Sequence, residues 1–195
     1  TDYEVQVRAV NKDGVSEWAT VQAHTIKDPL DEAIRNITAT NSTKDWEGLE
    51  VSKMFDFNEK NYWHTDYYKK EGVLPFDMTM NLHGIAKLDK IQYLPSSERD
   101  SHGQIYKGRI ATSFDGSNWT ENGTFEWNKD VGVKEYKFKG EPEAQYVKMT
   151  VEETKGGQAS GTELYVFKTP GSKMKKPGDI NNDNRIDEND FTSYL

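Results

Sequence analysis

The sequence predicts an all-β protein with an antiparallel β-sandwich at its centre. In several short segments apolar residues alternate with polar ones, which is the period of a strand with one buried face. The clearest of these apolar positions are Phe76, Met78, Met80, Leu82, Val147, Met149 and Val151. Gly, Asn, Asp and Pro separate the segments, and only VSKMFD (51–56) indicates a helix. Strands and helices do not alternate along the chain, so a parallel sheet is not expected.

Composition limits the class of partner. Hydrophobic residues make up 34% of the 195 residues and charged residues 30%, which predicts a modest core and long loops or tails. The net charge of −8 argues against nucleic acid or an anionic membrane as the main partner. The chain has no cysteine, and no apolar run reaches the length that spans a bilayer. No signal peptide opens the chain and a strand pattern starts at residue 3, so we expect a fragment of a longer protein.

The first 26 residues predict a β-hairpin. YEVQVRAV (3–10) has the period of a strand, NKDG (11–14) predicts a turn, and WATVQAHT (18–25) predicts the return strand. The pattern resembles the last two strands of a fibronectin type III domain, and the matching positions are Tyr3, Val5, Val7, Ala9, Asn11, Gly14, Ser16 and Trp18. Residues 1–26 are therefore expected to be the C-terminal strands of such a domain, and KDPLDEA (27–33) joins them to the main body.

Residues 33–168 carry a series of motifs in a fixed order. These are KMFDFNEKNYWHT (53–65), LDKIQYLP (88–95), GRIATSFDGSNW (108–119), YVKMTV (146–151) and ASGTELYVF (159–167). In order and spacing the series resembles the discoidin, or F5/8 type C, domain, and within that superfamily a family 32 carbohydrate-binding module. The resemblance implies the galactose-binding-domain fold, a jelly-roll β-sandwich with its ligand-binding loops gathered at one end.

The segment NYWHTDYY (61–68) indicates what such loops bind. It places four aromatic residues and a histidine in eight positions. A pyranose needs directional partners for its hydroxyls and a flat apolar surface for its C–H groups. Galactose and N-acetylgalactosamine carry an axial hydroxyl at carbon 4, where an imidazole and a guanidinium both reach hydroxyls 3 and 4. The resemblance implies that His64 makes this contact and that Tyr67 supplies a stacking ring, whereas Trp63 is expected to face the core.

Other positions of the site depart from the family pattern. Ser96 follows LP where the family usually has arginine, so Arg99 is the nearest candidate, and His102 replaces a family asparagine. The aromatic residue often found before AS is missing from KGGQAS, and Trp46 or Glu47 in the KDWEG loop is expected to close the other side. The predicted carbohydrate-binding residues are therefore His64, Arg99, Tyr67, His102, Trp46 and Glu47.

The resemblance also implies a structural Ca²⁺ in the module. In this superfamily such an ion commonly ties the loop before WH to the segment near the end of the domain. Carboxylate, amide and carbonyl oxygens suit a hard cation. The matching positions are the side chains of Asp56, Asn61 and Glu163 and the carbonyls of Phe55, Asn58 and Ala159. Asn61 stands where threonine is usual.

The C-terminal segment predicts a second calcium site. TPGSKMKKPG (169–178) predicts a linker, and DINNDNRIDEND (179–190) follows it. Its side-chain oxygens fall at EF-hand loop positions 1, 3, 5, 9 and 12, with a backbone carbonyl at position 7. The residues are Asp179, Asn181, Asp183, Asp187, Asp190 and, for the carbonyl, Arg185. With FTSYL, residues 179–195 resemble the first repeat of a dockerin, and the partner of a complete dockerin is a cohesin.

The predicted function is non-catalytic binding of terminal galactose or N-acetylgalactosamine on host or mucin-type glycans. The module would be a monomer that targets an attached glycoside hydrolase of a secreted or cell-surface bacterial protein, without nucleic-acid binding or membrane insertion. A discoidin-type binder of protein or phospholipid is an alternative, although these loops are acidic and polar rather than apolar and basic. A catalytic hydrolase would need a pair of carboxylates. The 33 acidic residues leave that possible by number, but no motif indicates such a pair.

Overall fold

The computed structural model describes residues 2–24, 27–68, 74–96, 102–179 and 186. It divides the chain into two compact units, Thr1–Asp31 and Glu32–Leu195. The first unit is an antiparallel hairpin in which β1 pairs with β4 and β2 pairs with β3 at the tip. Its strands are β1 (Asp2–Val7), β2 (Val10–Asn11), β3 (Gly14–Val15) and β4 (Ala19–His24). Every residue of these four strands is exposed. The assignment of the hairpin to a fibronectin type III domain stays a prediction.

The second unit is an all-β sandwich, as the alternating pattern predicts. Its strands are β5 (Thr38–Asn41), β6 (Trp63–His64), β7 (Phe76–Leu94), β8 (Ile105–Ser113), β9 (Thr120–Glu126), β10 (Lys134–Lys137), β11 (Glu143–Thr154), β12 (Ser160–Gly161) and β13 (Glu163–Lys168). In the part of this unit that the structure describes, two short 3₁₀ helices interrupt them, Val51–Met54 and Lys155–Gly157. Within the described ranges, no helix is both long and apolar enough to cross a bilayer.

One long strand, β7, belongs to both halves of the sandwich. Residues 76–81 pair with β5 and β11, and β11 continues the sheet through β8 to β9. Residues 88–94 pair instead with β10 and β13. His83 lies between the two parts with a φ of 57°, a conformation that breaks the regular extended backbone.

The core lies between these layers and is rich in methionine. The apolar positions of the alternating segments are all buried, and Met78, Met80 and Met149 have no exposed surface. Methionine packs well in irregular space because its side chain is unbranched and flexible. The turn FDGSNW (114–119) connects β8 to β9. There the Asp115 carboxylate accepts hydrogen bonds from the amides of two following residues, and these bonds hold its pKa well below the ordinary value.

Residues 169–178, predicted as a linker, pack on the sandwich, and we call this segment the strap. Lys175 and Ile85 exchange two backbone hydrogen bonds of 2.8 Å. The Lys175 ammonium also contacts both carboxylate oxygens of Glu143 at 3.0 Å. Met174 packs against the hydrophobic core. The strap is therefore held by backbone pairing, an ion pair and apolar contact together.

Close approach of the strap requires a glycine in β7. A Cβ atom on Gly84 would lie 3.0 Å from the carbonyl oxygen of Lys175 and 3.1 Å from the terminal methyl of Met174. We expect Gly84→Val to detach the strap, so that trypsin cleaves after Lys173 and Lys175 several-fold faster than in the wild type. Gly132→Val is the matched control, because its Cβ would meet the flexible carboxylate of Asp130. Equal cleavage rates in wild type and Gly84→Val would contradict this account.

Candidate functional site

The two residues of β6 mark the centre of the candidate site. β6 pairs with β12, with His64 opposite Ser160 and Trp63 opposite Gly161. Neighbouring residues of a strand point to opposite faces. Trp63 has no exposed surface, which confirms its predicted place in the core. His64 is therefore directed away from that part of the core.

Asp45, which sequence analysis missed, organises the surrounding loops. Its Oδ1 accepts hydrogen bonds of 2.6 Å from the indole of Trp63 and from the side-chain amide of Asn41. Its Oδ2 accepts a third bond, of 3.0 Å, from the backbone amide of Val51. A buried tryptophan needs an acceptor for its N–H. That need was the available signal, but the sequence does not say which of many acids supplies the oxygen.

Backbone hydrogen bonds fasten the turn 46–49 to His64. The amide of Trp46 donates to the His64 carbonyl at 2.9 Å, and the amide of His64 donates to the Leu49 carbonyl at 3.1 Å. The imidazole is 3% exposed, and its Nδ1 lies 2.5 Å from the carbonyl oxygen of Thr65. A carbonyl only accepts hydrogen bonds, so Nδ1 carries the proton. In the neutral imidazole, Nε2 is then the acceptor.

Tyr67 lies on the imidazole. The two ring centroids are 3.9 Å apart with an angle of 23° between the ring planes. The side-chain amide of Gln158 donates to the Tyr67 carbonyl at 2.6 Å, and the ring of Trp46 meets the Tyr67 ring edge-on at 4.8 Å. One face of the ring predicted to stack on a sugar is therefore covered by His64.

His102 reaches the same end of the sandwich through β12. The hydroxyl of Ser160 donates to the His102 carbonyl at 2.6 Å, and the Ser160 amide donates to the carbonyl of Gly103 at 2.8 Å. Gly103 has a φ of 81°, and a Cβ there would lie 2.7 Å from the Ser160 nitrogen, so only glycine fits. Because Ser160 is opposite His64, β12 brings the two histidine segments together.

The predicted carbohydrate-binding residues thus fall into two groups. Trp46, His64, Tyr67 and His102 are connected by the contacts above. Glu47 is exposed in the turn 46–49. Arg99 lies outside the described residues.

The predicted calcium side chains lie together between the loop before β6 and the start of β13. The side-chain amide of Asn61 donates to Asp56 Oδ2 at 2.8 Å. The backbone amide of Asn58 donates to Asp56 Oδ1 at 2.9 Å and to Glu163 Oε1 at 2.6 Å. We call Asp56, Asn58, Asn61 and Glu163 the loop group.

Electrostatics in the loop group centre on Glu163. Burial raises the pKa of its carboxyl to about 7, and the neighbouring carboxylate of Asp56 adds to the rise. Backbone amides of Asn58 and Phe57 oppose this shift. Phe57 has a φ of 59°, which is costly for a residue with a side chain and turns the loop at this point.

Two oxygens of the loop group are candidate ligands for a cation. Asn61 Oδ1 and Glu163 Oε2 are buried and have no hydrogen-bond partner within the described part of the chain. Buried oxygens are normally satisfied, and two carboxylates with an amide oxygen fit Ca²⁺. No cluster of three or more His, Cys, Asp or Glu side chains occurs among the described residues, so the fit depends on Asn61 and backbone oxygens as well.

The three predicted carbonyl ligands have different surroundings. Phe55 is buried and immediately precedes Asp56, and the Asn58 carbonyl accepts a hydrogen bond from the Asn61 amide at 3.1 Å. The Ala159 carbonyl accepts from the Thr65 amide at 2.8 Å, next to the pairing of β6 with β12. Its role as a calcium ligand stays a prediction.

The dockerin-like loop is described at its first position. Asp179 is buried, and its amide donates to the Lys176 carbonyl at 3.0 Å. The other predicted ligands, Asn181, Asp183, Arg185, Asp187 and Asp190, lie outside the described residues.

Comparison with known proteins identifies the family. The F5/8 type C domain matches residues 36–164. CpGH89CBM32-5 from Clostridium perfringens, solved in complex with GalNAc-β-1,3-galactose, is 32% identical with a TM-score of 0.63, over 69% of this chain and 99% of that chain. The family 32 carbohydrate-binding module of C. perfringens NanJ, solved with galactose, is 28% identical with a TM-score of 0.63, over 70% of this chain and 98% of that chain.

Two galactose oxidase sequences from Gibberella zeae also match, one of them 28% identical over 156 residues and 77% of this chain. The chain spans 23% of the length of these oxidases. The family match covers most of the chain, and the solved modules align over nearly their whole length with the same all-β architecture. This chain therefore belongs to the F5/8 type C domain family, with family 32 carbohydrate-binding modules as its structural neighbours.

Proposed function

We propose that the second unit is a non-catalytic module that binds terminal galactose or N-acetylgalactosamine. The observation that carries the proposal is the orientation of His64. The Thr65 carbonyl holds the proton on Nδ1, which leaves Nε2 as the acceptor of the neutral ring. With its protonation fixed in this way, Nε2 is suited to accept a hydrogen bond from a sugar hydroxyl. The relatives solved with galactose and with a GalNAc-containing disaccharide support the choice of sugar.

A panel of monosaccharides tests this function. Calorimetry should detect binding of galactose and N-acetylgalactosamine but not of glucose, which lacks the axial hydroxyl at carbon 4. A glycan array would then define the wider glycan, where we expect host or mucin-type chains with these terminal sugars. Equal binding of glucose and galactose, or no binding of either, would contradict the proposal.

The environment of the titratable groups supports a non-catalytic role. A glycoside hydrolase needs an acid whose pKa is raised towards neutrality and that reaches the substrate. Among the carboxyl groups for which a shift is resolved in the described residues, only Glu163 has a raised pKa. Its carboxylate belongs to the loop group, where it accepts a hydrogen bond from the Asn58 amide, and not to the aromatic rings around His64. An assay for sugar release should therefore give no activity.

A phospholipid-binding role is the alternative from another class. The described loops around His64 present tyrosines and acidic side chains, and the chain has a net charge of −8. Anionic membranes attract basic rather than acidic surfaces. We expect no sedimentation with liposomes that contain phosphatidylserine, and co-sedimentation would favour the alternative.

We further propose that Ca²⁺ stabilises the module through the loop group. Asp56, Asn61 and Glu163 would hold the ion with nearby backbone carbonyls, and the ion would supply positive charge to two neighbouring carboxylates. The two buried oxygens without partners in the described chain support this assignment. Its role would be structural, since it would join the loop before β6 to β13.

The setting of the module is also a proposal. We infer that it is a monomer in a secreted or cell-surface bacterial protein and directs an attached glycoside hydrolase to its glycans. The Clostridium perfringens neighbour that comes from a family 31 glycoside hydrolase supports this setting. The hairpin would complete a fibronectin type III domain, and residues 179–195 would belong to a dockerin that binds a cohesin.

A further inference from the structure

An aromatic hollow lies beside His64. It is an open hollow of about 360 Å³, and the described residues that line it are Trp46, Leu49, Tyr62, Tyr67 and Tyr68. Four of these five side chains are aromatic, and none is charged. Tyr68 is 87% exposed, although a large ring is costly to leave in water. Its ring lies 5.3 Å from that of Trp46, at an angle of 51°.

The hollow adjoins the predicted sugar site. Trp46 and Leu49 form the turn that is hydrogen bonded to both backbone groups of His64. Tyr67 separates the two regions, because its ring stacks on His64 and also meets the edge of Trp46. Tyr67 is therefore shared by the two regions, and a glycan bound on the His64 side of this ring would extend past it to Trp46 and Tyr68.

The lining of the hollow suits an uncharged pyranose. Aromatic faces accept the C–H groups of a sugar ring, and phenol hydroxyls exchange hydrogen bonds with its hydroxyls. The hydroxyls of Tyr62 and Tyr67 lie 3.3 Å apart, at one place in the lining. The described lining offers no cation that would favour a sialic acid or a sulfated sugar.

We propose that this hollow is a second subsite, which takes the sugar next to the terminal galactose of a glycan. The inference rests on the proposed function and goes beyond it. His64 selects the terminal sugar, and Trp46 with Tyr68 makes the module prefer a disaccharide or a longer chain. The neighbouring sugar would lie against the exposed ring of Tyr68.

Three ligands test the subsite by calorimetry on the full chain. They are methyl β-galactoside, lactose and phenyl β-galactoside. Lactose should bind about three- to tenfold more tightly than methyl β-galactoside, which corresponds to one additional aromatic contact. Tyr68→Ala should reduce this ratio to about one. The exposure of Tyr68 makes loss of the fold unexpected, and thermal denaturation checks it.

The matched control is Phe114→Ala, which removes an exposed ring from the turn between β8 and β9 and should keep the lactose preference. A ratio near one in the wild type, or an unchanged ratio in Tyr68→Ala, overturns the subsite while leaving the proposed function intact. A gain for phenyl β-galactoside without one for lactose also overturns it, since the hollow would then take any apolar group. If none of the three ligands binds, the proposed function and the subsite both fail.

Discussion

Replacing His64 by alanine is expected to abolish detectable galactose binding. A single exposed monosaccharide buries few atoms, so the total binding free energy should be only about −4 to −6 kcal/mol. Removing the imidazole takes away one hydrogen bond and leaves a sugar hydroxyl without its partner, which costs about 1–3 kcal/mol. The remaining affinity would lie at or beyond the millimolar range. Calorimetry with galactose and N-acetylgalactosamine on both proteins measures the loss.

The burial of His64 calls for controls on folding. The imidazole is 3% exposed and stacked on Tyr67, so alanine removes packing as well as a hydrogen bond. His64→Gln restores a polar group near the position of Nε2 and should recover part of the affinity. His24→Ala changes an exposed histidine of the hairpin and should bind as wild type does. Normal galactose binding by a folded His64→Ala protein would show that the site lies elsewhere.

Chelation of calcium is expected to lower the melting temperature of the second unit. An ion that binds only the folded state stabilises it by about 2.7 kcal/mol at a hundredfold excess over its dissociation constant. EDTA should therefore produce a shift of several degrees in differential scanning calorimetry. Glu163→Gln should remove most of this shift, because it neutralises a central carboxylate of the loop group. Asp183→Ala, in the dockerin-like loop, is the control and should retain it.

The pH dependence of the same transition provides a second readout. Burial and Asp56 raise the pKa of Glu163 to about 7 in the folded protein, from an ordinary value of 4.5. Without calcium, folding therefore favours the protonated carboxyl, and this stabilisation is present below pH 4.5 and lost as the pH rises towards 7. Bound calcium would favour the ionised carboxylate of Glu163. The stability of the folded protein should then no longer fall as the pH rises towards 7. If neither EDTA nor Glu163→Gln changes the melting temperature, the calcium assignment is contradicted.

The strands and the burial of Trp63 were predictable because they depend on residues that are close together in the sequence. Met78 and Met80 have the period of a half-buried strand, and Trp63 precedes the histidine of a dense motif. The role of Asp45 was not predictable, since its contacts join Asn41, Val51 and Trp63 without a repeating pattern. Such bonds depend on where the loops meet in space.

The sequence named the residues at the centre of the candidate site but not every contact at its edge. The motif NYWHTDYY indicated His64 and Tyr67, and the loop KDWEG indicated Trp46. The contact between Trp46 and Tyr68 was missed, because it requires the turn 46–49 to fold back onto β6. Stacking of Tyr67 on the imidazole also follows from the folded backbone rather than from residue type.

The docked strap changes how the module is tethered. A free segment of ten residues in solution has a root-mean-square span of about 17 Å and points in every direction. Backbone pairing of Lys175 with Ile85 removes that freedom, so the strap follows one path along the sandwich as far as the buried Asp179. The effective concentration of two joined binding elements depends on the length and stiffness of their connection. The strap therefore acts as a rigid mount, which holds Asp179 at a fixed point on the sandwich.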